Sequence, residues 1–213
     1  MLKTQFDTKP EAIVYIAQQK VRQEKGYLTR SEREQLKKLI EKPDEDYVIA
    51  PKEVSPTVKP IVTNIRQLRI PCRPVIIGED ISQIITELKD TLNVVGGLGL
   101  SANQIGYNLQ VAYIKIPAGF NKKTKSIDLK EIILINPKII EHDKKVEVKG
   151  ERCLSLPHIS VNTKRWVFVT VQNCDEKLKP SVFASQDLEA ITIQHEIDYL
   201  NGTIILDRKM KAR

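Results

Sequence analysis

The 213-residue chain predicts an α+β fold. An amphipathic helix comes first, three β-forming runs follow, and a second helix leads into a short apolar run. That order is not the repeated strand–helix–strand alternation of a parallel sheet. Ile84, Ile85, Leu88 and Leu92 recur at helical spacing and stop before Gly96-Gly97. The runs from Gln110 to Ile116, Glu131 to Ile140 and Lys164 to Gln172 read as strands. The last is the strongest, because Trp166, Val167, Phe168, Val169, Thr170 and Val171 are all aromatic or β-branched. Ser185 or Asp187 starts the final helix, with Leu188 and Ile191 on its buried side. Asn201-Gly202 closes it, and Thr203 to Leu206 reads as a short strand.

Residues 1–60 form a helical extension with a proline-containing linker, and residues 61–213 form the main domain. Pro10 suits a first helical turn, and Ile13, Tyr15, Ile16 and Val21 give an apolar face that Gly26 ends. Ser31 with Glu34 has the spacing of a capping box for a second helix, which Pro43 stops. Pro51, Pro56 and Pro60 favour an extended linker. Two helices of this length bury too little apolar area to stand alone. They dock on the main domain, which is the preferred reading, or on another protein.

Composition narrows the class. With 41% hydrophobic and 29% charged residues, the chain has the balance of a soluble globular protein. A net charge of +7 allows loose association with nucleic acid without requiring it. The three cysteines, Cys72, Cys153 and Cys174, make no regular disulfide framework, and an odd number suits a reducing compartment. The N-terminus lacks an apolar core of signal-peptide length, and no run approaches the roughly 18 apolar residues of a membrane span. The expectation is a cytoplasmic protein with no membrane partner.

Chemistry concentrates in three segments. His195-Glu196-Ile197-Asp198-Tyr199 carries the start of the zinc-hydrolase pattern H-E-x-x-H, in which two imidazoles four residues apart hold one metal and the glutamate is the general base. Here the fifth position is Tyr199. Gly97-Leu98-Gly99-Leu100-Ser101-Ala102-Asn103-Gln104-Ile105-Gly106 offers glycines for close backbone approach and an amide donor in Gln104. Glu151-Arg152-Cys153-Leu154-Ser155 places a cysteine beside charged neighbours. Each is weak alone: the glycines suit a plain turn, and a lone cysteine is more often a small buried hydrophobe.

Taken in order, the three resemble the peptide deformylase family, whose signatures are G-x-G-L-A-A-x-Q-x-G, E-G-C-L-S and Q-H-E-x-D-H. The resemblance spans about residues 61–210, and Gln194, Asp198, Leu200-Asn201-Gly202 and Asp207-Arg208 extend it. It implies a mixed, mainly antiparallel sheet around the helix that carries the metal motif. It also implies an Fe2+ or Zn2+ ion held by Cys153, His195 and the residue at position 199. Water activated by that metal attacks the formyl carbon on the N-terminal methionine of a nascent chain, releasing formate. Glu196 handles the proton, while the Gln104 side chain and the Leu154 backbone N–H stabilise the oxyanion. Asp198 pairs with Arg165 outside the ligand shell. Leu98 and Gly99 run beside the substrate backbone, and Leu188, Ile191 and Thr192 line the methionine pocket.

Four positions depart from the pattern. Arg152 replaces glycine, Ser101 replaces alanine, Asn103 replaces the usual proline or threonine, and Tyr199 replaces histidine. A phenol titrates near pH 10 when free, so it binds a metal strongly only after losing a proton. It would also add a second negative ligand beside Cys153 and weaken the ion as a Lewis acid. Two expectations therefore stand. One is a deformylase acting on N-formylmethionyl peptides with altered or lost metal binding, held near the ribosome by its basic C-terminal end. The other is an inactive relative that serves as a binding or structural module, with residues 1–60 docking a protein partner.

Overall fold

The computed structural model describes residues 57–121 and 126–210, together with Glu34. The two expected N-terminal helices and most of the linker lie outside the described residues. The chain divides into two compact units, one of residues 1–55 with 94–96 and the other of residues 56–93 with 97–213. The elements that follow lie in the second, except for Val94 and Val95 at the end of the helix that begins at Ser82.

A short helix, α1 (Ile65–Leu68), is capped by the Asn64 side chain, which accepts the Arg66 N–H. Helix α2 (Ser82–Val95) buries Ile84, Ile85, Leu88 and Leu92, the positions their spacing selected. The strand β1 (Gly99–Ser101) pairs antiparallel with β2 (Val111–Asn121), which pairs with β3 (Ser126–Ile135). A second sheet has the order β4 (Lys138–His142), β7 (Phe168–Cys174), β8 (Pro180–Gln186). A two-stranded ribbon joins β5 (Lys145–Cys153) to β6 (Leu156–Trp166). Every strand pair within these sheets is antiparallel.

Helix α3 (Asp187–Leu200) lies at the centre. Ala190, Ile193, Ile197 and Leu200 pack with Ala112, Ile114, Leu134, Val169 and Val171 from the sheets. Tyr199 belongs to another cluster, with Leu68, Cys153, Leu156, Val161, Ile204 and Ile205. A helix covered on two sides in this way cannot show a single apolar stripe. Each large aliphatic side chain buried here stabilises the packing by about 2 kcal/mol. The antiparallel sheets around this helix agree with the fold the sequence implied.

Several local readings change. The run from Glu131 to Ile140 is broken at Asn136, which has a φ of 50°, into β3 and β4. The run from Lys164 to Gln172 is likewise divided, at Val167, between two sheets. Thr203 to Leu206 is not a strand: Ile205–Arg208 form a 3-10 turn, with Asp207 accepting the Ile204 N–H at 3.0 Å. Leu188 is 44% exposed and Ile191 half-buried, so neither lies on the buried side of α3, which Ala190, Ile193 and Ile197 form instead.

Candidate active site

Four stretches converge. Strand β1 leads into a 3-10 turn, Ala102–Ile105, that carries Gln104. On β5 the alternation of a strand turns Glu151 and Cys153 inward and Arg152 out to solvent. The turn after Cys153 brings Leu154 and Ser155, and β6 brings Arg165. Helix α3 supplies His195, Glu196, Asp198 and Tyr199.

Close approach at β1 requires glycine. A Cβ built on Gly99 would fall 2.4 Å from Glu196 Oε1, so only a bare backbone lets that carboxylate lie against the strand. Gln104 is oriented at both ends of its amide. Its Oε1 accepts the Ser101 N–H at 3.0 Å, while its Nε2 donates to Cys153 Sγ at 3.2 Å and to Ser155 Oγ at 3.1 Å. The Ser155 N–H also points at the sulfur, at 3.4 Å.

A charged network lies behind the site. Glu151 Oε1 is 2.6 Å from His195 Nδ1 and accepts Arg165 Nη2 at 2.6 Å. Its Oε2 accepts Arg165 Nε at 3.0 Å and the Thr163 hydroxyl at 2.5 Å. Arg165 Nη1 donates to Asp198 at 2.5 Å, the pair the resemblance implied. Asp198 also takes two N–H groups of Arg208, at 2.6 and 3.0 Å. Nδ1 of His195 is engaged by Glu151, and the Cys153 thiol, which packs in one buried cluster with Tyr199, is among the groups that act on the imidazole. The His195 and Tyr199 rings have centroids 5.1 Å apart, tilted by 30°.

Electrostatics follow from this crowding. Burial alone would raise the Glu151 carboxyl, but hydrogen bonds from His195 and Arg165 outweigh it and hold the group well below the usual carboxylate range. Burial works against charge on His195, yet Cys153, Glu151 and Glu196 push the ring up to about 10. Glu196 is raised to about 7 by burial, against the pull of His195, Ser101 and Arg165. Burial, Cys153 and Glu196 together hold the Tyr199 phenol well above its ordinary value.

Two buried oxygens at this point lack a hydrogen-bond partner among the described residues: Glu196 Oε2 and Tyr199 Oη. Buried polar atoms are rarely left so, and these two oxygens are free to serve as donors to a bound ion. The surroundings that raise His195 are negative, which suits a cation. Among the described residues no three His, Cys, Asp or Glu side chains gather to hold a metal, so a third protein donor here would be the phenol oxygen. A thiolate and an imidazole are suitable donors for Zn2+ or Fe2+, and the phenol is the weak member. The residues fit a metal, less tightly than two imidazoles and a thiolate would.

The structure thus brings together Cys153, His195, Tyr199, Glu196, Gln104 and Leu154, with Asp198 and Arg165 behind them. Gly99 lies against Glu196. Leu98 is 38% exposed, Leu188 and Ile191 lie on the outer side of α3, and the buried Thr192 donates its hydroxyl to the Leu188 carbonyl at 2.8 Å. Sequence reasoning gave no role to Glu151, which links His195 to Arg165. Its signal was its match to the first position of the E-G-C-L-S signature, two residues before the cysteine.

The comparisons with known proteins identify the family and its fold. Residues 58–213 match the family model described as polypeptide deformylase. A peptide deformylase of Desulfosudis oleivorans is 32% identical over 133 residues, 62% of this chain and 73% of that protein. One from Aquifex aeolicus is 36% identical over 133 residues, 62% of this chain and 75% of the relative. Among solved structures, a peptide deformylase from Synechococcus elongatus in complex with actinonin is similar with a TM-score of 0.63 and 30% identity, covering 76% of this chain and 84% of that one. A peptide deformylase from Legionella pneumophila gives a TM-score of 0.61 at 28% identity, covering 72% and 86%. With the match spanning the whole described domain and every element of the site, this chain belongs to the polypeptide deformylase family.

Proposed function

We propose that the protein is a metal-dependent amide hydrolase that removes the formyl group from the N-terminal formylmethionine of nascent polypeptides. The observation that carries this reading is the pair of unpartnered buried oxygens, Glu196 Oε2 and Tyr199 Oη, beside Cys153 and His195. Cys153, His195 and Tyr199 would hold the ion, Fe2+ or Zn2+. When bound, it would supply Lewis acidity that activates water and polarises the formyl carbonyl.

The remaining work falls to the chain. Glu196, in reach of a proton transfer near neutral pH because burial raises it, would take a proton from the attacking water and pass it to the leaving amine. Gln104 Nε2, on giving up its contact with Cys153 or Ser155, and the Leu154 N–H would donate to the developing oxyanion, each contributing about 3 kcal/mol to the transition state. Glu151 fixes the His195 ring through Nδ1, and the Arg165–Asp198 pair holds strand to helix. Leu98 and Gly99 would run beside the substrate backbone, with Leu188, Ile191 and Thr192 around the methionine side chain.

This reading places the protein in the cytosol, where formylated chains emerge. Arg208 is bound to Asp198, which leaves the exposed Lys209 and the residues after it for salt-sensitive ribosomal contacts. Residues 1–60 would be a separate extension for docking on the domain or on a protein partner. Among the described residues no helix is long and apolar enough to cross a membrane. The test is formate release from a formyl-Met peptide, measured together with the metal content of the purified protein. Metal at one ion per chain with formate release supports the reading. A metal-loaded protein that releases none favours the inactive binding module.

A further inference from the structure

We propose that Ser101 is a positioning residue for the reaction: its hydroxyl, acting with Asn103, fixes the Gln104 amide that faces the Cys153 sulfur. The role of Gln104 rests on the deformylase reading; the geometry that orients it does not.

Ser101 is fully buried, and Asn103 is 5% exposed. The Ser101 Oγ lies 2.8 Å from Gln104 Oε1 and 2.9 Å from Asn103 Oδ1. A hydroxyl has one proton, so these two oxygens share a single donor, which the Glu196 carboxyl also faces. Neither amide is free to turn away. Asn103 Nδ2 donates to the Tyr199 carbonyl at 2.7 Å, which forces its Oδ1 toward Ser101. Gln104 Nε2 is held by Cys153 Sγ and Ser155 Oγ, which forces its Oε1 toward the Ser101 N–H. The hydroxyl completes a chain from the helix end at Tyr199, through Asn103 and Ser101, to the amide beside Cys153.

Two departures from the family pattern, Ser101 and Asn103, are therefore partners in one buried network, which reaches position 199 only through its main-chain carbonyl. Alanine at 101 would keep only the backbone N–H. That is sufficient when residue 103 carries no amide, but with Asn103 present it leaves Oδ1 buried without its donor, a costly arrangement. Asn103 would turn to recover a partner, releasing the Tyr199 carbonyl and loosening the turn that carries Gln104. Ser101 and Asn103 belong together for this reason.

The experiment compares the full-length wild type with Ser101→Ala and with the double variant Ser101→Ala/Asn103→Thr. Alanine at 101 and threonine at 103 both occur in the family pattern, so the backbone accommodates them. The first readout is hydrogen exchange of the Gln104 side-chain amide by 15N NMR. The second is kcat and KM for formate release from a formyl-Met peptide. Ser101→Ala should speed exchange and lower kcat about fivefold at unchanged KM, as expected for one lost orienting hydrogen bond. The double variant should recover both. Unchanged exchange in Ser101→Ala, or a loss that the double variant does not recover, overturns the proposal. If the wild type releases no formate, the deformylase reading fails by itself, and the exchange data still decide whether Ser101 orients Gln104.

Discussion

Glu151 holds His195 by Nδ1 at 2.6 Å, and the same carboxylate carries two N–H contacts from Arg165. Removing its charge should loosen both partners. Glu151→Gln is expected to lower stability by about 3 kcal/mol, because Arg165 stays buried with half its compensation gone. Metal affinity should fall by about 10- to 100-fold through loss of ring orientation. Urea denaturation of the chelated protein and metal titration measure the two effects separately, and an unchanged midpoint would show that the pair contributes nothing net.

The titrating groups set a pH window. Glu151 is depressed in the folded state, so its contribution is present above the ordinary carboxylate value of about 4.3 and is lost as pH falls through the lower folded value. His195 is raised to about 10, so its contribution is full below about 6.5 and is lost as pH rises through 10. Glu196 acts in the opposite sense: raised to about 7, it costs stability increasingly between about 4.3 and 7. Glu196→Gln should therefore stabilise the chelated protein at pH 8 by about 2 kcal/mol while abolishing formate release. Thermal melts across pH 3 to 10 check the window.

Tyr199 offers two substitutions with different readouts. Tyr199→His should raise metal affinity and formate release by restoring an imidazole donor; if neither rises, the phenol is not the limiting feature. Tyr199→Phe removes an unpartnered buried hydroxyl and should stabilise the chelated protein by about 1 kcal/mol. A destabilised Tyr199→Phe would mean that the hydroxyl has a partner in solution.

Gly99→Ala tests the contact between β1 and the carboxylate. The new Cβ would fall 2.4 Å from Glu196 Oε1, so the carboxylate must move or the strand retreat. A fall of at least 10-fold in kcat is expected, with far-UV circular dichroism unchanged. Retained activity would mean that Glu196 works from another position.

Legibility followed the range of the interactions. Helix α2 could be read because Ile84, Ile85, Leu88 and Leu92 repeat locally, and the end of α3 because Gly202 takes a φ of 72° where a side chain would meet the Arg69 carbonyl. The split at Val167 was hidden, since nothing in a run of β-branched and aromatic residues marks a change of sheet. What turns the chain there includes Asp143, whose side chain accepts the Phe168 N–H from 25 residues away. The 3-10 turn after Thr203 was masked in the same way, because its apolar residues also suit a strand while its hydrogen bonds come from Asp207 and its anchor from Arg69. Motif order placed Cys153, His195 and Gln104 together. The role of Glu151 needed its 44-residue link to His195 to be seen.

The β5–β6 ribbon has a kinetic consequence. Glu151 and Arg165 are only 14 residues apart, on paired strands, whereas Asp198 and His195 join them from 33 and 44 residues away. A short loop closes before a long one, so the ribbon can meet its own opposite charges before the helix arrives. The guanidinium then enters the interior already neutralised, and the barrier to docking α3 need not include stripping water from a bare cation. Folding kinetics would register the order: Glu151→Gln should slow refolding, whereas Asp198→Asn should mainly speed unfolding. The reverse pattern would mean that helix docking comes first and the charges are paired only afterwards.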